Sequence, residues 1–143
     1  MFSNPCKYAI NAVIYLAVNS GESRKVGAKK IAKAIDVPAA FLAKLLQDLV
    51  KKGIISSIKG PNGGFYLTDN NKEMKMISIV EQIDGLSKFD ECILGLKECN
   101  SERPCPVHHK IQPYKKQLYD ELKNNSIGHF AEKVSKGETF LSY

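Results

Sequence analysis

The sequence predicts a mainly α protein built as a winged helix-turn-helix: a helix pair, a small β-hairpin wing and, later, a long helix. Three observations carry that prediction. Ala28 to Ile35 and Pro38 to about Lys52 both show apolar residues at helical spacing, separated by the break Asp36-Val37-Pro38. Two strand-like runs, Ile54 to Ile58 and Phe65 to Thr68, follow at once and enclose Lys59-Gly60-Pro61-Asn62-Gly63-Gly64, the residues that tight turns require. Farther on, Val107, Ile111, Tyr114, Leu118 and Leu122 recur at intervals of four, three, four and four. That narrow stripe suits helix–helix packing.

Asn4 followed by Pro5 marks a helix start, because proline is tolerated where first-turn N–H groups have no partner. Cys6 to Ala17 is apolar nearly all round, as expected of a central helix, and Asn19-Ser20-Gly21 ends it. Ile31, Ala32 and Ile35 share one face of the short second helix. In the third, Phe41, Leu42, Leu45, Leu46, Leu49 and Val50 form the buried stripe, and Gly53 is the stop. The opposite face carries Ala39, Ala40, Ala43, Lys44, Gln47 and Lys51, small and polar side chains that let a helix lie close to base edges in a groove. After the hairpin, Met76 to Ile83 is a short amphipathic helix ended by Asp84-Gly85. The long helix is expected from Pro106 to about Asn124, and Ser126 caps a final helix running to about Lys136.

Charge separates the chain into unlike parts. The 143 residues carry a net charge of +6. Residues 1–60 hold ten Lys and Arg against three acids, residues 61–104 hold five against eight, and residues 105–143 hold six against four. A basic half beside an acidic segment is the footprint of a phosphate-binding face. Combined with the winged-helix pattern, it makes double-stranded DNA the expected partner. Lys29, Lys30, Lys51 and Lys59, with Lys25, are candidate phosphate contacts. Lys44 and Gln47 are best placed for base edges, beside Ala39 and Ala40, and Asn62 and Gly63 stand at the wing tip. The longest apolar stretch, Tyr8 to Val18, is too short to span a bilayer and lacks the flanks of a secretory leader, so a cytoplasmic protein is expected.

Cys92, Cys99, Cys105 and His108 fall within seventeen residues, in a segment whose prolines and charges suit a loop. Thiolates and imidazole gathered on a loop are soft ligands for zinc or an iron–sulfur cluster, and the thiols could instead serve redox chemistry. Zinc sites usually offer a close pair of cysteines, and none occurs here. His109 competes with His108 as a fourth ligand. Cys6 reads as a small buried hydrophobe, and Asp90, Glu91, Glu98 and Glu102 as loop solubility. A metal site beside a DNA reader suggests a sensor.

Tyr8 to Ala17, the helix pair, Ile58-Lys59-Gly60-Pro61-Asn62-Gly63-Gly64-Phe65-Tyr66-Leu67, Ile83-Asp84-Gly85 and the three cysteines together resemble the IscR/NsrR-type winged-helix regulators, the Rrf-two family. The resemblance covers about residues 2–123. It implies a homodimer joined through the long helix, which becomes a dimerisation helix, and a two-fold DNA site. It also implies an iron–sulfur cluster on Cys92, Cys99 and Cys105, with His108 at the position of the fourth ligand in the branch that holds a 2Fe-2S cluster. Such a regulator senses cluster supply, redox state or nitric oxide. The chain departs from the family pattern in four places. The first cysteine interval is six residues rather than five. Lys7 and Asn11 stand where other branches draw a ligand from the partner's first helix. Lys59 replaces the wing arginine, and Ala43 replaces a recognition-helix acid.

The expected organisation is a DNA-binding winged helix-turn-helix over 1–86, a cluster-binding loop over 87–105, and the dimerisation and C-terminal helices over 106–143. No nucleophile triad, phosphate-cradling loop or paired-carboxylate pattern supports an enzyme. Two other readings stand beside the cluster-modulated regulator: a cluster-free repressor answering a small molecule or protein partner, and a zinc-stabilised regulator. An electron carrier would need neither helix-turn-helix nor wing.

Overall fold

At the centre lies α1 (Asn4–Asn19), in which Cys6, Ala9, Ala12, Val13 and Leu16 are fully buried. The computed structural model describes residues 1–141. The near-uniform apolarity of α1 is explained by its neighbours: α2 (Ala28–Ala34), α3 (Ala39–Lys51), α5 (Ile77–Ile83) and α7 (Ile127–Ser135) all pack against it. Its cap sits one residue earlier than the sequence suggests. The Ser3 hydroxyl oxygen accepts the Cys6 N–H at 3.2 Å, with Asn4 and Pro5 inside the first turn. Ser3 is itself held by Asp84, the residue after α5: its backbone N–H donates to Oδ2 at 2.8 Å and its hydroxyl donates to Oδ1.

The helix pair forms as expected, with Pro38 at the N-cap of α3 and Leu42, Leu45, Leu46 and Leu49 buried. Phe41 does not join them. It lies about 90° round the helix from the centre of that stripe at 100° per residue, and is 43% exposed with its ring edge-on to Tyr8. Val50, on the opposite flank, is half-buried.

The wing is an antiparallel pair, β1 (Ser56–Ile58) and β2 (Gly64–Tyr66), with Ser57 opposite Phe65. The strands are shorter than expected because Ile54, Ile55 and Leu67 turn into the core. Phe65 exchanges two 2.9 Å backbone hydrogen bonds with Val26, which ties the hairpin to the segment before α2. Gly64 makes that approach possible: it has φ +150°, and a Cβ there would meet the Val26 carbonyl oxygen at 2.9 Å.

A further helix, α4 (Asp69–Glu73), was not expected from apolar spacing. It is set by a capping box between Thr68 and Asn71, with asparagine in the place usually held by Glu or Gln. The buried Asn71 amide also donates to the Gly53 carbonyl at 3.2 Å and accepts from the Ser56 hydroxyl at 2.9 Å. One side chain thereby joins the end of α3, β1 and α4.

Beyond α5, a 3-10 turn (Leu86–Phe89) leads into the cysteine loop, and α6 (His108–Asn124) follows. Ser126 caps α7 as expected, accepting from the His129 N–H at 3.1 Å. Of the expected region 106–143, residues 142–143 lie outside the described residues, and packing divides the rest. α7 returns to the core through Ile127 and Ala131 and lies against α1 and α4, whereas α6 touches mainly α5 and the 3-10 turn. Among the described residues, no helix is long and apolar enough to cross a membrane.

Two outcomes follow from these contacts. Asp84→Ala strips the partner from both Ser3 donors, so the unfolding free energy should fall by about 1–3 kcal/mol, read as a lower denaturant midpoint at unchanged slope. Burial, reinforced by the Asp84 carboxylate, pushes the Cys6 thiol up to about 12. Cys6 is therefore protonated near neutral pH. Alkylation of the native protein should modify loop cysteines and reach Cys6 only after denaturation.

Candidate DNA-reading face and cysteine site

The outward face of α3 exposes Ala39, Ala40, Lys44, Gln47 and Lys51, with Ala43 half-buried. Lys29 and Lys30 are exposed on α2, and Lys59 and Asn62 at the wing. Gln47 and Lys51 of α3 face Ser57, Ile58 and Lys59 of the wing across one groove of about 370 Å³. Helix and wing thus present a joint surface. Among the described residues, none of Lys29, Lys30, Lys44, Lys51 and Lys59 takes part in an ion pair. Their charge is unspent.

Gly63 is half-buried, and its N–H closes the wing turn on the Gly60 carbonyl at 3.0 Å. A Cβ there would lie 2.1 Å from the Ile58 carbonyl oxygen, so this residue shapes the tip. Lys25 is turned aside, its ammonium 5.2 Å above the Tyr66 ring. Exposed Ile58 and Phe41 lie on the wing and on α3, and the sequence pattern singled out neither as a surface residue.

The cysteine loop has no regular structure, yet its ends are fixed. Phe89 is wedged edge-on between Phe2 and Tyr119, at centroid distances of 5.8 and 5.2 Å. Cys92 and His108 are buried, and Cys99 and Cys105 half-buried. The Cys99 sulfur lies 3.4 Å from His108 Nδ1. The backbone N–H groups of Leu94 and Leu96 hold the Cys92 thiol below its ordinary range, with the Cys105 thiol and the Lys115 ammonium adding to the effect. Cys99 and His108 are in direct contact. Among the described residues, no three His, Cys, Asp or Glu side chains converge on a single-ion site. His109 points outward and is exposed, as are Asp90, Glu91, Glu98 and Glu102.

Lys115 was not picked out by the sequence pattern. It is 5% exposed, donates to the Glu91 carbonyl at 2.7 Å and reaches the Cys99 sulfur at 3.9 Å. The signal that could have found it is a heptad: His108, Lys115 and Leu122 are the buried positions of α6. The apolar stripe itself is only partly covered. Leu122 is buried, Val107, Ile111 and Leu118 are half-buried, and Tyr114 is 67% exposed.

Comparison with known proteins agrees with this architecture. The family model described as an iron-dependent transcriptional regulator, Rrf2, matches residues 2–133. An HTH-type transcriptional regulator of Aquifex aeolicus is 36% identical over 129 residues, 89% of this chain and 88% of that protein. The regulator IscR of Pectobacterium atrosepticum is 25% identical over 121 residues, 85% of this chain and 73% of that protein. Two solved structures share the fold at low identity. CymR, the global cysteine regulator of B. subtilis, gives a TM-score of 0.69 at 18% identity, over 92% of this chain and 96% of that one. IscR of T. potens gives 0.68 at 22%, over 100% and 94%. These relatives are regulators and not enzymes. The chain belongs to the Rrf2 family of helix-turn-helix transcription regulators.

Proposed function

We propose that this protein is a cytoplasmic homodimer that binds a two-fold DNA operator and whose hold on DNA is modulated by an iron–sulfur cluster on Cys92, Cys99, Cys105 and His108. The observation that carries the reading is the donor arrangement: the loop that leads into α6 places the Cys99 sulfur beside His108 Nδ1 and carries the buried Cys92 and half-buried Cys105 with them. A lone zinc ion needs four donors about 2.0–2.3 Å from one point. Donors on one loop that do not converge on a single point among the described residues instead suit a 2Fe-2S cluster, whose ligands are divided between two irons. The bound cluster would supply a redox-responsive charge. The chain's part is to present three sulfurs and one imidazole.

The DNA face divides into roles by position. α3 enters the major groove with Lys44 and Gln47 toward base edges, while Ala39 and Ala40 permit close approach. Lys29, Lys30 and Lys51 neutralise phosphates, and the wing brings Lys59 and Asn62 over a turn shaped by Gly63. Lysine at 59 grips a minor groove less specifically than arginine because it lacks the planar fork. A second copy covers the outward stripe of α6, where Ile111, Tyr114 and Leu118 are only partly buried. Its two recognition helices would then lie about one DNA turn, roughly 34 Å, apart.

A cluster-free regulator answering a small molecule or protein partner is the second reading. The fold likeness to CymR and the lack of a preformed single-ion site among the described residues favour it.

Anaerobic reconstitution with iron and sulfide separates the two. The first reading expects visible absorption that is lost in a triple Cys92, Cys99, Cys105→Ala variant, and an operator affinity that differs between loaded and cluster-free protein at fixed salt. A colourless wild type, or identical affinity on every operator tried, would sink it. On the DNA face, Lys51→Ala should lower the slope of log affinity against log salt by about one. Gly63→Ala should weaken binding by distorting the wing, with the core stability little changed.

A further inference from the structure

Among the described residues, Lys115 is the only lysine, arginine or carboxylate side chain that is buried. It sits seven residues after His108 and seven before Leu122, on the inner face of α6. A buried ammonium persists only when its charge is compensated. No carboxylate among the described residues comes within salt-bridge reach of it. What it has is the Glu91 carbonyl at 2.7 Å and the Cys99 sulfur at 3.9 Å. The carbonyl offers a dipole and no charge. The sulfur, when it serves as a ligand, is the anionic atom in reach. Cys99, His108 and Lys115 also line one small cavity of about 130 Å³, together with Phe89, Asp90 and Gln112.

We infer that Lys115 is a positioning residue of the cysteine site: it pins residues 91–99 to α6 and donates to the Cys99 sulfur. The pin spans the loop from the residue before Cys92 to Cys99, so a single side chain on the helix holds both ends of the first ligand interval. Glu91 takes part through its backbone, leaving its carboxylate outside and paired with Lys88 at 2.9 Å. The electrostatic half of this role rests on the cluster reading above. The mechanical half does not.

The test compares wild type with Lys115→Met, Lys115→Gln and Lys115→Arg. Lys97 is exposed within the pinned interval, so tryptic cleavage after it reports release of the loop. In cluster-free protein, the Met variant should be cut about tenfold faster than wild type, and the Arg variant, which keeps donor and charge, at close to the wild-type rate. Circular dichroism melting checks that each variant is folded. If the Met variant does not fold, Gln, which keeps a donor without the charge, takes its place against Arg. In reconstituted protein, dithionite delivers one electron to the loaded site, and the ammonium stabilises the added negative charge. The Gln variant should therefore have a lower midpoint potential, by about tenfold in the oxidised-to-reduced ratio, which is about 59 mV for one electron. Cleavage and potential both unchanged in the variants that lack the charge would overturn the inference, as would an Arg variant as perturbed as Met. A wild type that takes up no cluster would overturn the cluster reading and the electrostatic role, while the cleavage rates would still decide the pin.

Discussion

Phe89 is the point on which the cysteine site depends. The loop from 90 to 107 has no helix or strand of its own, so its place is set by what grips its ends. At the near end Phe89 is clamped between Phe2, which precedes α1, and Tyr119 of α6. Each edge-to-face pair adds about 0.5–1.5 kcal/mol beyond the area it buries. The Ser3–Asp84 latch lies beside it and fixes the same end of α1 to the residue that ends α5. The start of the central helix, the foot of the loop and the flank of α6 are therefore one joint. α1 also supports the DNA head, since α2, α3 and the wing all pack on it. The loop and the reading face are two ends of a shared beam.

Charge is distributed to match that division. The lysines of α2, α3 and the wing are exposed and, among the described residues, form no ion pair, which keeps them available for phosphate. Two lysines near the loop are engaged instead. Lys88 is engaged by Glu91, Lys115 is buried against a carbonyl and a sulfur, and the remaining loop acids face water. A cation on the DNA face gains from long-range fields and salt-dependent association. A cation under the loop acts at contact distance, where salt screens it far less.

The helix pair, the wing, the central helix and the Ser126 cap were legible because each writes a periodicity or a turn residue into the chain. Cys92, Cys99, Cys105 and His108 stood out by residue type, and the fold brings the Cys99 sulfur to 3.4 Å from His108 Nδ1. What escaped had a different physical origin. Phe41 is apolar, but position on the helix decides exposure, and one step beyond the leucine stripe puts it outside the core. α4 is too short for periodicity and depends on Thr68 and Asn71, a box spelled with an uncommon partner. Lys115 escapes any rule that assigns lysine to the surface: its heptad spacing from His108 and Leu122 marks the inner face of α6, but the loop folded over it completes the burial. Tertiary context, not local propensity, supplied each of these.

The two faces of α6 carry different loads. His108, Lys115 and Leu122 look inward to the loop and the body, with Leu118 half-buried beside them, while Tyr114 looks outward and Ile111 is half-covered. The helix runs about 25 Å at 1.5 Å per residue, and only its second half is gripped by Tyr119 and Leu122. Pro113 falls within the first half and supplies no N–H to the His109 carbonyl, so the turn bearing His108 lacks one backbone tie to the turns that follow. Side chains must do what the missing bond does not. The Cys99 contact of His108 and the loop contacts of Lys115 stand on either side of that proline, bridging it through the loop. The order of the first half of α6 is therefore tied to the order of the cysteine loop, and the outward stripe shares that dependence because it is carried on the same turns.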